Sequence, residues 1–123
     1  DVRFRFQNSY QEYYNATAEH LPDMADRFLQ PNQPEVELNS QYFSNLFTEA
    51  VQVAEERGTT LYCGEYGVID RAESQDALRW YQAIHQAFDE LGIGRAAWNY
   101  RQLNFGLRDE HMEDVIEKVK RYL

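Results

Sequence analysis

Apolar residues along this chain change their spacing several times, and each change marks a predicted element. Val2, Phe4 and Phe6 alternate with charged neighbours, the period of a short half-buried strand. Ser9-Tyr10-Gln11-Glu12 has the form of a capping box and predicts a helix to about His20. Pro22, Pro31 and Pro34, with Asn32 and Gln33, then predict turns and loop up to Leu38. From Asn39 a helical period takes over. Asn39 and Ser40 are both good N-caps, and Phe43, Leu46, Phe47, Ala50, Val51 and Ala54 recur on one face until Gly58. Thr59–Cys63 is a short β-prone run ending at Gly64. Ser74 can cap the next helix, whose inward stripe is Ala77, Leu78, Tyr81, Ile84, His85, Phe88 and Leu91, with Gly92 as its stop. Ile93–Trp98 reads as a second strand, interrupted by Gly94 and Arg95. A last helix is expected from near Asp109, with Met112, Val115, Ile116 and Val119 facing inward.

The order from Asn39 onward is helix, strand, helix, strand, helix with short connections. That alternation implies an α/β fold with parallel strands and right-handed crossovers. Parallel strands need cover on both faces, and two strands do not form such a sheet by themselves. Either the first third of the chain adds strands, or the missing strands lie on another polypeptide. Residues 1–38 read as an irregular loop and helix segment, and 39–123 as the βα units.

Composition narrows the partners. Hydrophobic residues make up 43% and charged residues 27%, a globular balance that excludes a disordered chain. No apolar run reaches the roughly 18 residues of a membrane helix. Twelve Lys and Arg against 21 Asp and Glu give a net charge of −9, which disfavours nucleic acid or an anionic membrane as partner. Aromatic residues are abundant at 15%, which with the acidic balance fits a neutral ligand. The single cysteine, Cys63, excludes an internal disulfide and reads as a buried, inert thiol. The chain opens on Asp1 with alternating charges and no signal-peptide pattern, as a chain entered midway would. His20, His85 and His111 lack metal-ligand spacing, and His85 lies in an apolar stripe as a core histidine; neither metal nor cofactor is expected.

Candidate chemistry gathers at the ends of the two predicted strands. In parallel α/β folds, function collects where strands end and βα loops begin. Gly64-Glu65-Tyr66-Gly67 puts a carboxylate there, with glycines leaving room for a ligand. Trp98 ends the second strand, followed by Asn99-Tyr100-Arg101 and Asn104-Phe105-Gly106. An indole beside a carboxylate on the neighbouring strand suits a sugar ring, packed on its C–H face while the acid addresses the anomeric carbon. Taken singly, Glu65 also fits an ordinary turn and Trp98 an ordinary core. The pair on adjacent strands is what points to chemistry, and Tyr66 and Asn104 join it as candidate substrate-binding residues.

The stretches Leu61-Tyr62-Cys63-Gly64-Glu65-Tyr66-Gly67-Val68, Arg79-Trp80-Tyr81, Gly92-Ile93-Gly94, Ala97-Trp98-Asn99-Tyr100 and Phe105-Gly106-Leu107 resemble the C-terminal end of glycoside hydrolase family 5, the cellulase family. The resemblance runs from roughly Tyr42 to Leu123. It implies the end of a (β/α)₈ TIM barrel of retaining β-glycanases, with Thr59–Cys63 and Ile93–Trp98 as strands seven and eight. Glu65 then matches the catalytic nucleophile, and Trp98 the aromatic floor at the cleavage point. The family's acid/base lies in an Asn-Glu-Pro motif after strand four, and this sequence contains no Asn-Glu-Pro. The family's strand-one arginine and its mid-barrel histidine and tyrosine are missing too. A full barrel takes about 250 residues.

The resemblance therefore implies a partial catalytic domain that acts on a β-linked polysaccharide or oligosaccharide with a complementary N-terminal part, in a secreted setting. Two other readings stay open at this point: a small α/β carbohydrate-binding module, and an inactive fragment that self-associates through its strand edges.

Overall fold

The computed structural model describes residues 10–20 and 37–123. The expected strand at Val2–Phe6, the Ser9 cap and the proline-marked loop up to Pro34 lie outside the described residues. Helix α1 spans Tyr10–His20. Helix α2 spans Ser40–Glu56, strand β1 Tyr62–Tyr66, helix α3 Ser74–Leu91 and strand β2 Gly94–Ala97. A 3-10 turn at Glu110–Met112 leads into a short helix α4 at Ile116–Val119.

Helix α2 begins as its sequence predicts. Asn39 is the N-cap, and its Oδ1 accepts the Tyr42 backbone N–H at 3.3 Å, satisfying one of the first-turn donors. It ends where Gly58, at φ +59°, lets the chain turn left-handed and the Thr59 N–H reaches the Ala54 carbonyl at 3.0 Å. Helix α3 starts one residue earlier than its cap signal suggests. Glu73 is the N-cap, without a side-chain capping bond, and Ser74 is already helical. Gly92, at φ +64°, closes α3 and delivers the chain directly into β2.

The two strands are parallel, as expected, and form the one sheet among the described residues. Tyr62 pairs with Gly94, Cys63 with Arg95, and Tyr66 with Ala97. Between the last two pairs β1 advances three residues while β2 advances two. Strand β1 therefore carries a bulge at Gly64-Glu65. Both strands differ in extent from the sequence reading. β1 begins three residues later than Thr59 and continues through Glu65, so the carboxylate lies inside a strand and not in the loop after it. β2 is shorter at both ends than Ile93–Trp98.

The core is built on α3. Tyr81, His85, Ala87 and Phe88 are at most 1% exposed, and the expected stripe is buried apart from a half-buried Leu91. Aromatic rings join the layers. Phe47 of α2 stacks on Phe88 at 5.3 Å, Phe43 meets Trp80 edge-on at 5.5 Å, and Tyr66 of β1 meets Phe88 edge-on at 5.2 Å. Each fully buried ring of this kind contributes about 1.5–3 kcal/mol from area alone.

The C-terminal segment keeps its predicted inward face but not its predicted continuity. Met112, Val115, Ile116 and Val119 are all buried, yet the backbone alternates 3-10, turn and α-helix. Apolar spacing reports which side faces the core even where the helix is broken.

The predicted stripe of α2 is only half used. Phe43 and Ala54 are buried and Phe47 and Val51 half-buried, whereas Leu46 is 56% exposed and Ala50 is exposed too; Val53, outside that stripe but on the same side, is 40% exposed. Among the described residues nothing covers that side of α2, and no third strand pairs with the outer edge of β1 or of β2. No described helix is long and apolar enough to cross a membrane.

Candidate active site at the ends of the two strands

The bulge is the local reason that Glu65 is presented to solvent. An extra residue in one strand breaks the in–out alternation and redirects the side chains on it. Gly64 and Glu65 are both exposed, while Tyr66, the next residue, is buried at 8%. On the other strand, Trp98 follows Ala97 immediately and keeps 40% of its surface exposed. Its backbone N–H donates to the Tyr66 carbonyl at 2.7 Å. Glu65 and Trp98 thus flank the same Tyr66–Ala97 pair, and the structure brings together the two residues that the sequence reading joined.

Asn104 reaches the same end of the sheet through its backbone. It is exposed, at φ +64°, in a run of three left-handed residues with Gln102 and Leu103. Its carbonyl accepts the Asp70 N–H at 2.7 Å, which ties the loop after β2 to the loop after β1. The loop is pinned at its base as well. Asp109 Oδ2 accepts the Gln102 N–H at 2.7 Å, and the Leu107 N–H reaches the Asn99 carbonyl at 2.9 Å. The peptide bond between Trp98 and Asn99 is cis.

Tyr66 stands apart from the expected role. Its ring lies among Trp80, Tyr81, His85 and Phe88, and its hydroxyl is 2.6 Å from His85 Nε2. Burial pushes the phenol up to about 12, with the nearby Arg95 guanidinium pulling it part of the way back. The side chain faces α3 and the core, so within this chain it has no surface to offer a ligand. The physical reason is the register: one residue beyond the bulge, alternation returns the side chain to the helix-covered face.

No family model matches the chain. Cellodextrinase A of Ruminococcus flavefaciens is 49% identical over 59 residues, which are 48% of this chain and 18% of that protein. Endoglucanase C of Acetivibrio thermocellus is 29% identical over 84 residues, 68% of this chain and 24% of that protein. Over these stretches the chain is similar to cellulases. It spans about a fifth to a quarter of the length of these relatives. Solved structures agree on the fold. A hyperthermophilic endo-β-1,4-glucanase solved with substrate superposes at a TM-score of 0.57 and 22% identity, over 68% of this chain and 26% of its own. A second endoglucanase gives 0.56 at 18% identity, over 74% and 33%. The two parallel strands with their helices match one portion of the folds of these endoglucanases.

Two supports of the candidate site carry no clear motif in the sequence. Gly67 is the first. A Cβ there would run into the Trp98 carbonyl and press on the Phe105 ring at 3.4 Å. The backbone after β1 packs directly on the backbone after β2, and only glycine permits that approach. Gly67 closes the Gly64-Glu65-Tyr66-Gly67 stretch, and the close approach of the two strand ends gives it a steric reason. His85 is the second. It is wholly buried, and the sequence offers no cue that its Nε2 meets Tyr66, 19 residues away.

His85 carries a consequence for acid stability. Burial first, and then the Arg95 guanidinium, lower its pKa from 6.5 to about 4, against a smaller upward pull from Asp89. The unfolded chain therefore binds a proton between those values that the folded chain refuses. Stability is intact above pH 6.5 and falls as the pH drops towards 4, by up to about 3 kcal/mol from this group. Exposed Glu117, held low chiefly by a hydrogen bond from Lys120, acts in the same direction. The His85 imidazole resonance, followed by NMR against pH, is expected to titrate near 4, and urea midpoints to decline between pH 6.5 and 4. Titration of His85 at its ordinary value would contradict the burial account.

Among the described residues no three His, Cys, Asp or Glu side chains come together as a metal-binding group. Cys63 is half-buried, with its Sγ 3.4 Å from the Glu65 carbonyl oxygen.

Proposed function

We propose that this chain is the C-terminal part of a retaining β-glycanase of glycoside hydrolase family 5, contributing strands seven and eight of a (β/α)₈ barrel. Its substrate is a β-1,4-linked glucan or oligosaccharide, met in a secreted setting. The observation that carries the reading is the meeting of Glu65 and Trp98 around the Tyr66–Ala97 pair, at the ends of two parallel strands, in a chain similar to cellodextrinase and endoglucanase sequences.

In this reading the Glu65 carboxylate attacks the anomeric carbon while the sugar ring lies on the exposed face of Trp98. The C–O bond to the leaving sugar breaks as an acid donates its proton to the departing oxygen, leaving a glycosyl ester on Glu65. The same acid, now a base, takes a proton from water as that water opens the ester and releases the sugar. Two carboxyl groups about 5–5.5 Å apart are needed for this chemistry. The second belongs to the missing part, since this sequence has no Asn-Glu-Pro. Asn104, on the loop fastened to Asp70, borders the sugar site.

The same reading accounts for the uncovered surfaces. Unpaired strand edges and an apolar helix face are costly to leave in water. The outer edges of β1 and β2, with Leu46, Ala50 and Val53 of α2, are the surfaces that the N-terminal part of a barrel covers.

The test is reconstitution. This chain is mixed, or refolded together, with a separate polypeptide carrying strands one to six of a related cellulase, and release of reducing ends from soluble cellulose is measured. Activity is expected from the mixture and from neither part alone. Full activity of this chain by itself would overturn the need for a second part.

A further inference from the structure

Directly behind the candidate nucleophile lies a buried polar pair that the proposed bond-making steps do not touch. Tyr66 and His85 are 8% and 0% exposed, and their hydroxyl and Nε2 are 2.6 Å apart, within the strong range for such a contact. Three supports converge on Tyr66. Its ring is packed against Trp80, Tyr81 and Phe88, its carbonyl accepts the Trp98 N–H at 2.7 Å, and its hydroxyl is fastened to α3 through His85.

The bulge gives this fastening its importance. Gly64 and Glu65 have no register partners on β2, so the ladder that would fix the direction of Glu65 is interrupted where the carboxylate sits. Gly64 is exposed and has no side chain to pack. The orientation of Glu65 therefore depends on its other neighbour, Tyr66. Apolar side chains of equal volume would fill the same space at lower desolvation cost, because His85 Nδ1 lies buried with no hydrogen-bond partner. A hydrogen bond, unlike apolar filling, selects one ring orientation and one strand position.

We propose that the Tyr66–His85 hydrogen bond is a positioning device that holds Glu65 and the Trp98 platform in catalytic register from behind the sheet. This rests on the reading of Glu65 as nucleophile. Small displacements of reacting groups are expensive: about 1 Å costs on the order of 100-fold in rate. Loss of one anchoring bond, with the ring still packed, is expected to cost about tenfold in kcat.

Two measurements test it, using Tyr66→Phe, His85→Phe, the double variant and His85→Gln in the intact chain. In the reconstituted enzyme each single Phe variant should lower kcat about tenfold with KM changed less than twofold. The double variant should be no worse than either single one, and His85→Gln, which keeps a polar nitrogen, should recover part of the loss. In the chain alone, hydrogen exchange of the Trp98 amide should accelerate about tenfold in Tyr66→Phe, while amides of α3 from Ala83 to Phe88 change less than threefold. A kcat within twofold of the parent, multiplicative losses in the double variant, or uniform acceleration of all amides would overturn the proposal and leave the pair a stability element. Should His85→Phe fail to fold, Tyr66→Phe decides alone by the same criteria. Glu65→Gln in the same preparation separates the two levels. Activity that survives it removes the nucleophile and this proposal together, whereas its loss beside an unaffected Tyr66→Phe removes the proposal alone.

Discussion

Glu65→Gln in the reconstituted enzyme is expected to lower kcat by about 10⁴-fold or more. An amide is isosteric with the carboxylate but cannot form the glycosyl ester, and loss of a covalent nucleophile has effects of this order. The substitution should leave the fold alone. Glu65 is exposed on a bulge, and substitutions at such positions stay within about 0.5 kcal/mol. Substrate affinity should be kept as well, because Trp98 and the loop carrying Asn104 are untouched. The comparison that checks this is kcat and KM for both forms beside their urea midpoints. A large fall in stability would mean that Glu65 serves structure, and survival of activity would remove it from the reaction.

The second large effect is expected at Gly67, a position with no chemistry of its own. Gly67→Ala places a methyl group against the Trp98 carbonyl, a backbone atom that cannot rotate away as a flexible side chain could. The strand ends must separate to admit it. Overpacking of this kind costs about 1–3 kcal/mol, and the accompanying shift of Trp98 relative to Glu65 should cost about 100-fold in kcat/KM. Gly64→Ala supplies the control. A Cβ at Gly64 meets only the Tyr62 ring, at 3.6 Å, which is ordinary contact. Its stability should stay near that of the parent. Equal effects at the two glycines would show that the close approach of the strand ends is unimportant.

These cases mark how far the sequence could be read. Helical periods identified the buried faces of α3 and of the C-terminal segment, because burial follows side-chain spacing even where backbone hydrogen bonding changes from α to 3-10. The same period misled along one side of α2. Leu46 and Ala50 belong to a proper apolar stripe, yet they are exposed among the described residues. A stripe records that a face wants cover and carries no information about which polypeptide supplies it. Strand limits were less legible. Thr59 and Thr60 have the β-prone character, but pairing begins at Tyr62, where Gly94 provides a partner across the sheet.

The candidate site was legible as a juxtaposition and illegible in its supports. Alternation and the strand-end rule brought Glu65 and Trp98 to one place. Nothing local signals a bulge, because that depends on the count of residues in a different strand. The bulge in turn decides that Glu65 faces out and Tyr66 faces in, which moved Tyr66 from the expected sugar site into the core. His85 was recognised as a core histidine from its apolar stripe. Its partner was not, since a contact between a strand and a following helix leaves no trace in spacing.

On the proposed mechanism Glu65 becomes covalently attached to sugar, with the proton donor supplied by another part of the barrel. A 2-deoxy-2-fluoro-cellobioside with a good leaving group tests it most directly, because the fluorine slows opening of the ester more than it prevents its formation. Incubated with the reconstituted enzyme and analysed by mass spectrometry, this chain should gain one fluorocellobiosyl group. The peptide Gly58–Arg71 should carry it, at Glu65, and Glu65→Gln should remain unlabelled. Attachment to a carboxylate of the companion polypeptide, or an active complex in which this chain stays unmodified, would rule out Glu65 as the nucleophile.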